Sequence, residues 1–250
     1  MCITIAAMLC KSCTVISFQN PMPPNEKALK KVPNALLGKY HIPNEEEVFH
    51  FYEEGISQTE EKLLWYYLKE DNSKFYRIDS VAKLVYFPNR ENVNPDIGFA
   101  YEIKRDTLYT TVKEDQGVVE INKTLIIKKH ENGFVFNIMR EDDQHWMTFF
   151  LYQLSDGNLV IKIPEIFDDA DVEDKAEMEE FLDQNREIKS YISVDSIVSV
   201  DELDAILPSI KKYDKSGKPE EIILNPNEEE FKKLVSEGFF SRFSMFEKIK

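Results

Sequence analysis

Residues 124–163 constrain this chain more than any other stretch, because turn signals there separate short runs of β-branched and aromatic residues. Leu125-Ile126-Ile127 leads into His130-Glu131-Asn132-Gly133, and Asn-Gly is the pair that best tolerates the positive φ angles of a tight type I′ hairpin turn. Ser155-Asp156-Gly157-Asn158 repeats the signal. Phe134, Phe136 and Ile138 fall on one face of a strand, His145, Met147, Phe149 and Leu151 on one face of the next, and Leu159, Ile161 and Ile163 on one face of the last. This is the pattern of an antiparallel meander. Trp146, Phe150 and Tyr152 project from the opposite face of the middle strand, which must therefore be covered on both sides. Either the rest of the chain covers that second face, or it stays open as an aromatic-lined ligand face.

Around the meander, candidate strands recur every 8–12 residues, at 37–42, 48–53, 62–69, 74–79, 98–104, 107–113 and 117–122, as a sandwich or barrel requires. Residues 80–87 read as a short helix. Gly38-Lys39-Tyr40 at the first of these strands resembles the opening of lipocalin-like barrels, which implies a barrel. After Pro164 the texture changes. Helical spacing of Met178, Phe181 and Leu182 follows Asp171 as N-cap, 188–200 reads as strand, 201–209 as a short helix and 221–224 as strand. Residues 226–236 read as a helix with Asn225 as cap and Pro226 first, and 239–249 as a closing strand. The expected fold is mostly β, an antiparallel meander in a sandwich or lipocalin-like barrel over 36–165, with a C-terminal α+β part over 166–250.

The N-terminus carries a different signal. Residues 1–17 are apolar and small apart from Lys11, too short to span a bilayer but long enough for the core of a signal peptide. Ser12-Cys13 then sets a small residue before a cysteine, and a Pro-rich stretch within 18–35 reads as a tether. This segment resembles a bacterial lipoprotein signal, and with Ser17-Phe18-Gln19-Asn20-Pro21 and 32–40 it resembles uncharacterised envelope lipoproteins of the Bacteroidetes. That resemblance implies lipidation of Cys13 and an outer-membrane anchor, and the absence of acidic residues in 14–18 points to the periplasmic face. All three cysteines, Cys2, Cys10 and Cys13, lie in this segment, so the body has no thiol chemistry.

A net charge of −15 argues against nucleic acid as a partner, because an acidic surface repels phosphate. It leaves room for a cytoplasmic acidic inhibitor that covers a basic partner. The motifs for catalysis are weak. Ser80-Val81-Ala82-Lys83, Ser155-Asp156-Gly157 and Lys215-Ser216-Gly217 mimic the elements of penicillin-recognising enzymes, but the latter two read as a hairpin turn and a polar loop. Asp169, Asp171, Glu173, Glu177 and Glu180 match a calcium-loop frame that lacks its glycine. The four histidines show no ligand spacing, and eight glycines leave little from which to build a phosphate loop. The sequence thus implies no cofactor and no metal, and a binding or scaffolding module in preference to a periplasmic hydrolase without a recognisable motif.

Overall fold

The computed structural model describes residues 14–43, 45–68, 74–140, 143–166, 180–191, 199–215, 217 and 219–250. Its first strands are β1 (Val15–Phe18), β2 (Gly38–His41), β3 (Glu47–Tyr52), β4 (Gly55–Tyr67), β5 (Arg77–Asp79), β6 (Leu84–Tyr86) and β7 (Phe99–Lys104). The long β8 (Thr107–Glu120) runs into the meander of β9 (Leu125–His130), β10 (Gly133–Met139), β11 (Trp146–Gln153) and β12 (Leu159–Ile163). Helices α1 (Arg186–Lys189) and α2 (Val200–Ile206) precede β13 (Ile210–Tyr213) and β14 (Pro219–Leu224). Helix α3 (Glu228–Ser236) and β15 (Arg242–Lys248) complete the chain. The strands form one mixed sheet in the order β13-β14-β1-β11-β12-β15-β2-β3-β4-β8-β7-β6-β5, with β10 and then β9 on the other edge of β11. The fold is mostly β, with its helices late in the chain.

The meander has the expected faces. Phe134 sits opposite Leu151, Phe136 opposite Phe149 and Ile138 opposite Met147, while Leu151 also faces Ile161 across β12. Their shared face packs on Phe49, Phe51, Ile56 and Phe246 from β3, β4 and β15. The sheet curls around this core, since Val119 of β8 and Leu125 of β9, far apart in the strand order, belong to the same cluster. Tyr40 is buried there too, its ring edge-on to Phe51 at 5.3 Å. The interior is full: a cavity of about 20 Å³ remains among Phe49, Phe136, Phe149 and Phe246, room for roughly one water and far below the size of a ligand site.

The second face of the meander is covered. Val135, Phe150 and Tyr152 of β10 and β11 join Phe18 of β1 and Leu224 of β14 beneath Leu203, Leu207, Phe231 and Phe240 of the C-terminal half. Helix α3 is held for this purpose by Asn227, which accepts from the backbone N–H of Glu229 and Glu230, while the Glu230 carboxylate accepts from the Asn227 N–H. The cap is therefore Asn227, where the sequence had pointed to Asn225.

Other local expectations are corrected. Residues 80–87 are not a helix: Asp79 Oδ1 accepts from the N–H of Val81 and Ala82 in a tight turn, and β6 then pairs with β5 and β7. Residues 188–200 are not a strand where described. Ile188 lies in α1, and Ser199 caps α2 in a reciprocal pair with Glu202. In the first hairpin the central residues are Glu131 and Asn132, and Glu131 takes the positive φ of 46°. Gly133 instead sits in β10, where a Cβ would lie 2.7 Å from the Leu151 carbonyl oxygen. The expected strands 107–113 and 117–122 are one, β8.

The Pro-rich stretch read as a tether runs packed against the body. β1 lies parallel to β14, with Val15 opposite Glu221 and Phe18 opposite Leu224. Phe18, Met22 and Val32 are buried. Asn137 of β10 holds Met22 from both sides, its Oδ1 accepting from the Met22 N–H at 2.7 Å and its Nδ2 donating to the Met22 carbonyl at 2.8 Å. Lys128 of β9 donates to the carbonyls of Pro21 and Pro23 at 2.8 and 2.6 Å, and burial pushes its pKa down.

Candidate functional site

Among the described residues, those that sequence singled out do not come together as a site. Cys13 and the calcium-loop frame from Asp169 to Glu177 lie outside the described residues. Phe150 is stacked on Phe231 at 6.2 Å and meets Phe240 edge-on at 4.6 Å, so the expected ligand face is core. Tyr152 stacks on Tyr191 at 4.6 Å, and its burial pushes the phenol up to about 12. Trp146 is half-buried against the same cluster. Ser80 and Lys83 sit in the exposed β5–β6 turn, and Ser155 in the β11–β12 turn.

A site does form on the part of the sheet that leaves the core. β4 and β8 are 13 and 14 residues long, well beyond the five or six typical of a strand. A bulge between Gln58 and Thr59 divides them. Before it, Ile56 and Val119 pack into the body; beyond it, Lys62 to Tyr67 pair with β8 residues that carry β7, β6 and β5 as an arm. Along β4, alternation sends Leu64 and Tyr66 to one face and Leu63, Trp65 and Tyr67 to the other. The first face has its own small core of Val85, Phe87, Val93 and Val112, with Tyr66, Tyr76 and Phe99 packed against it.

Over that core, residues 87–94 turn back across the arm. The Arg90 N–H reaches the Phe87 carbonyl at 3.4 Å, and Asn92 adopts a φ of 61°, a region asparagine tolerates, while its carbonyl accepts from the Asp115 N–H at 2.8 Å. The result is a pocket of about 380 Å³, within the roughly 300–1,000 Å³ range of small-molecule sites. Tyr66, Phe75 and Phe87 give it aromatic walls. Asn89, Arg90, Glu91, Asn92 and Glu114 give it polar ones.

Glu114 anchors the polar side. Its carboxylate is almost fully buried, and it accepts from Lys62 Nζ at 2.9 Å and from Arg90 Nε at 2.6 Å. Lys62 also pairs with Glu60 at 3.0 Å, and Gln116 donates to Glu60 at 2.7 Å. Burial pushes the Glu114 carboxyl up, but the hydrogen bonds from Lys62 and Arg90 outweigh it and hold it below its ordinary value. Such a carboxylate stays ionised and is a poor proton donor, so the pocket lacks the raised-pKa acid that a glycosidase pair needs on that side.

No protein-family model, curated protein or solved structure matches this chain. The reading of the site therefore rests on its geometry.

A second cluster forms where sequence gave no warning, because its members are far apart in the chain. Asp143, His145 and Glu221 bring ligand atoms within 4.8 Å of one another. Arg140 Nη1 donates to Glu221 at 2.6 Å, Lys212 pairs with the same carboxylate, and Arg140 Nε lies 3.6 Å from Asp143. Two cations already oppose the two carboxylates, and a metal ion would have to displace both. The cluster is an ion-pair lock between the β10–β11 connection and β14.

The sequence reading places a strand at 62–69 but does not join it to the segment 87–94 that closes the pocket. The signal available was the apolar character of both faces of β4, the argument applied to β11.

Proposed function

We propose that this chain is a lipid-anchored protein of the bacterial envelope whose body binds a small ligand in the arm pocket and does not transform it. The pocket carries the binding half of this reading: it has aromatic walls, polar groups held by the fold, and a buried carboxylate committed to two cations. The anchor rests on the apolar leader and Ser12-Cys13. Cleavage before Cys13 would leave every packed residue of β1 in place. Among the described residues no helix is long and apolar enough to cross a membrane. Two or three acyl chains would hold firmly, at about 0.8 kcal/mol for each buried CH₂.

Metabolic labelling with palmitate in a native host, comparing wild type with Cys13→Ala, tests the anchor. Labelled wild type and unlabelled variant are expected. Unlabelled wild type, recovered from the soluble cytoplasm with Met1 intact, would refute it in favour of an acidic inhibitor.

A further inference from the structure

We infer that the arm pocket is built for a neutral saccharide, bound through one pyranose ring. This rests on the pocket being a binding site and goes on to name its ligand class. The lining decides the class by charge. A carboxylate or phosphate ligand would meet Glu91 and Glu114, and the cations that could offset them, Arg90 and Lys62, are already paired with Glu114. A cationic ligand would find aromatic rings and the Glu91 carboxylate, but a group that only donates leaves the Arg90 and Asn92 N–H donors in the same wall without an acceptor. A purely apolar ligand would strip water from Asn89, Arg90, Glu91 and Asn92 without replacing their hydrogen bonds.

A neutral ring rimmed with hydroxyls meets none of these objections. A pyranose presents a C–H face to an aromatic ring and a girdle of groups that both donate and accept. Phe75 offers such a ring, 57% exposed beside the buried Phe87. The side chains of Glu91 and Asn92 have no partner among the described residues, which leaves an acceptor and an amide for the hydroxyls. Arg90 is fixed by Glu114, so its guanidinium stands pre-ordered at the wall and little entropy is lost on binding.

The test is a backbone-amide NMR titration of the isotope-labelled full chain. Glucose, galactose and N-acetylglucosamine serve as neutral probes, choline and glucose 6-phosphate as charged ones. The expected result is saturation by at least one neutral sugar, with shifts at 64–66 and 87–92. Phe75→Ala should weaken binding about 10-fold through loss of the stacking ring, and Glu91→Gln should weaken it less. Phe75 is exposed, so its removal leaves the fold intact. Saturation at these residues by choline or glucose 6-phosphate in preference to every neutral sugar overturns the saccharide assignment while leaving a binding pocket. Shifts with no probe overturn the assignment and the pocket reading together.

Discussion

Replacing Asn137 with alanine should release the N-terminal stretch, and the size of the effect can be worked from its hydrogen bonds. The side chain makes four: it accepts from the Met22 N–H at 2.7 Å and the Thr148 hydroxyl at 2.9 Å, and donates to the carbonyls of Met22 at 2.8 Å and Ile126 at 3.2 Å. Thr148 can rotate its proton. The Met22 N–H cannot, and its residue is fully buried. Leaving such a donor unpaired costs about 1–3 kcal/mol, and the lost amide volume and remaining bonds raise the total to about 3 kcal/mol. For a chain of this size that is a fall of about 6–12 °C in Tm. Urea unfolding followed by Trp146 fluorescence measures the global loss, since Trp146 sits opposite Phe18 of β1. Trypsin measures the local one, because Lys27, Lys30 and Lys31 are exposed in the stretch that Met22 pins. Cleavage there should accelerate in the variant before the body unfolds. A stability loss below about 1 kcal/mol, with an unchanged tryptic pattern, would refute the idea that Asn137 latches this segment.

Three further outcomes are expected. Glu114, held below its ordinary value, contributes stability that is present above the unfolded carboxylate pKa near 4.5 and is lost as pH falls through the depressed folded value. Glu114→Gln should therefore be less stable than wild type at neutral pH by about 1–2 kcal/mol in urea melts, and the gap should close in acid; a gap independent of pH would contradict the ion-pair account. Tyr152, pushed up to about 12 from 10.0, stabilises the fold below pH 10 and loses that contribution as pH climbs toward 12. Alkaline difference spectra should show a late-ionising tyrosine that Tyr152→Phe removes. Gly55→Ala would set a Cβ 2.0 Å from the Val119 carbonyl oxygen, on the β4–β8 ladder. A cost of at least about 3 kcal/mol should follow in the same urea assay, and near-wild-type stability would show that β4 and β8 do not approach this closely.

What could be read from the chain was what short-range periodicity fixes. The meander faces followed from alternation, which puts Phe134, Phe136 and Ile138 on one side of the strand and Val135 and Asn137 on the other. The helix at Glu228–Ser236 followed from its acidic first turn. Ile188 and the β-branched residues after it suggested a strand, yet Ile188 is buried in the helix Arg186–Lys189, and the Ser199–Glu202 capping box starts another at Val200. The pocket was not legible for a different reason. Lys62, Arg90 and Glu114 meet through the register of β4 on β8 and a left-handed Asn92, neither of which leaves a local pattern. Burial of the Pro-rich stretch was equally hidden, since the groups that hold it, the Asn137 amide and the Lys128 ammonium, lie more than a hundred residues away in the chain.

That burial sets the reach of anything attached to Cys13. β1 begins at Val15, and two extended residues span at most about 7 Å. An acyl chain at Cys13 would therefore act as a hinge pin and not as a leash. The paired strands β1 and β14 would then stand close to the headgroups. A body mounted in this way cannot sweep the space around its anchor.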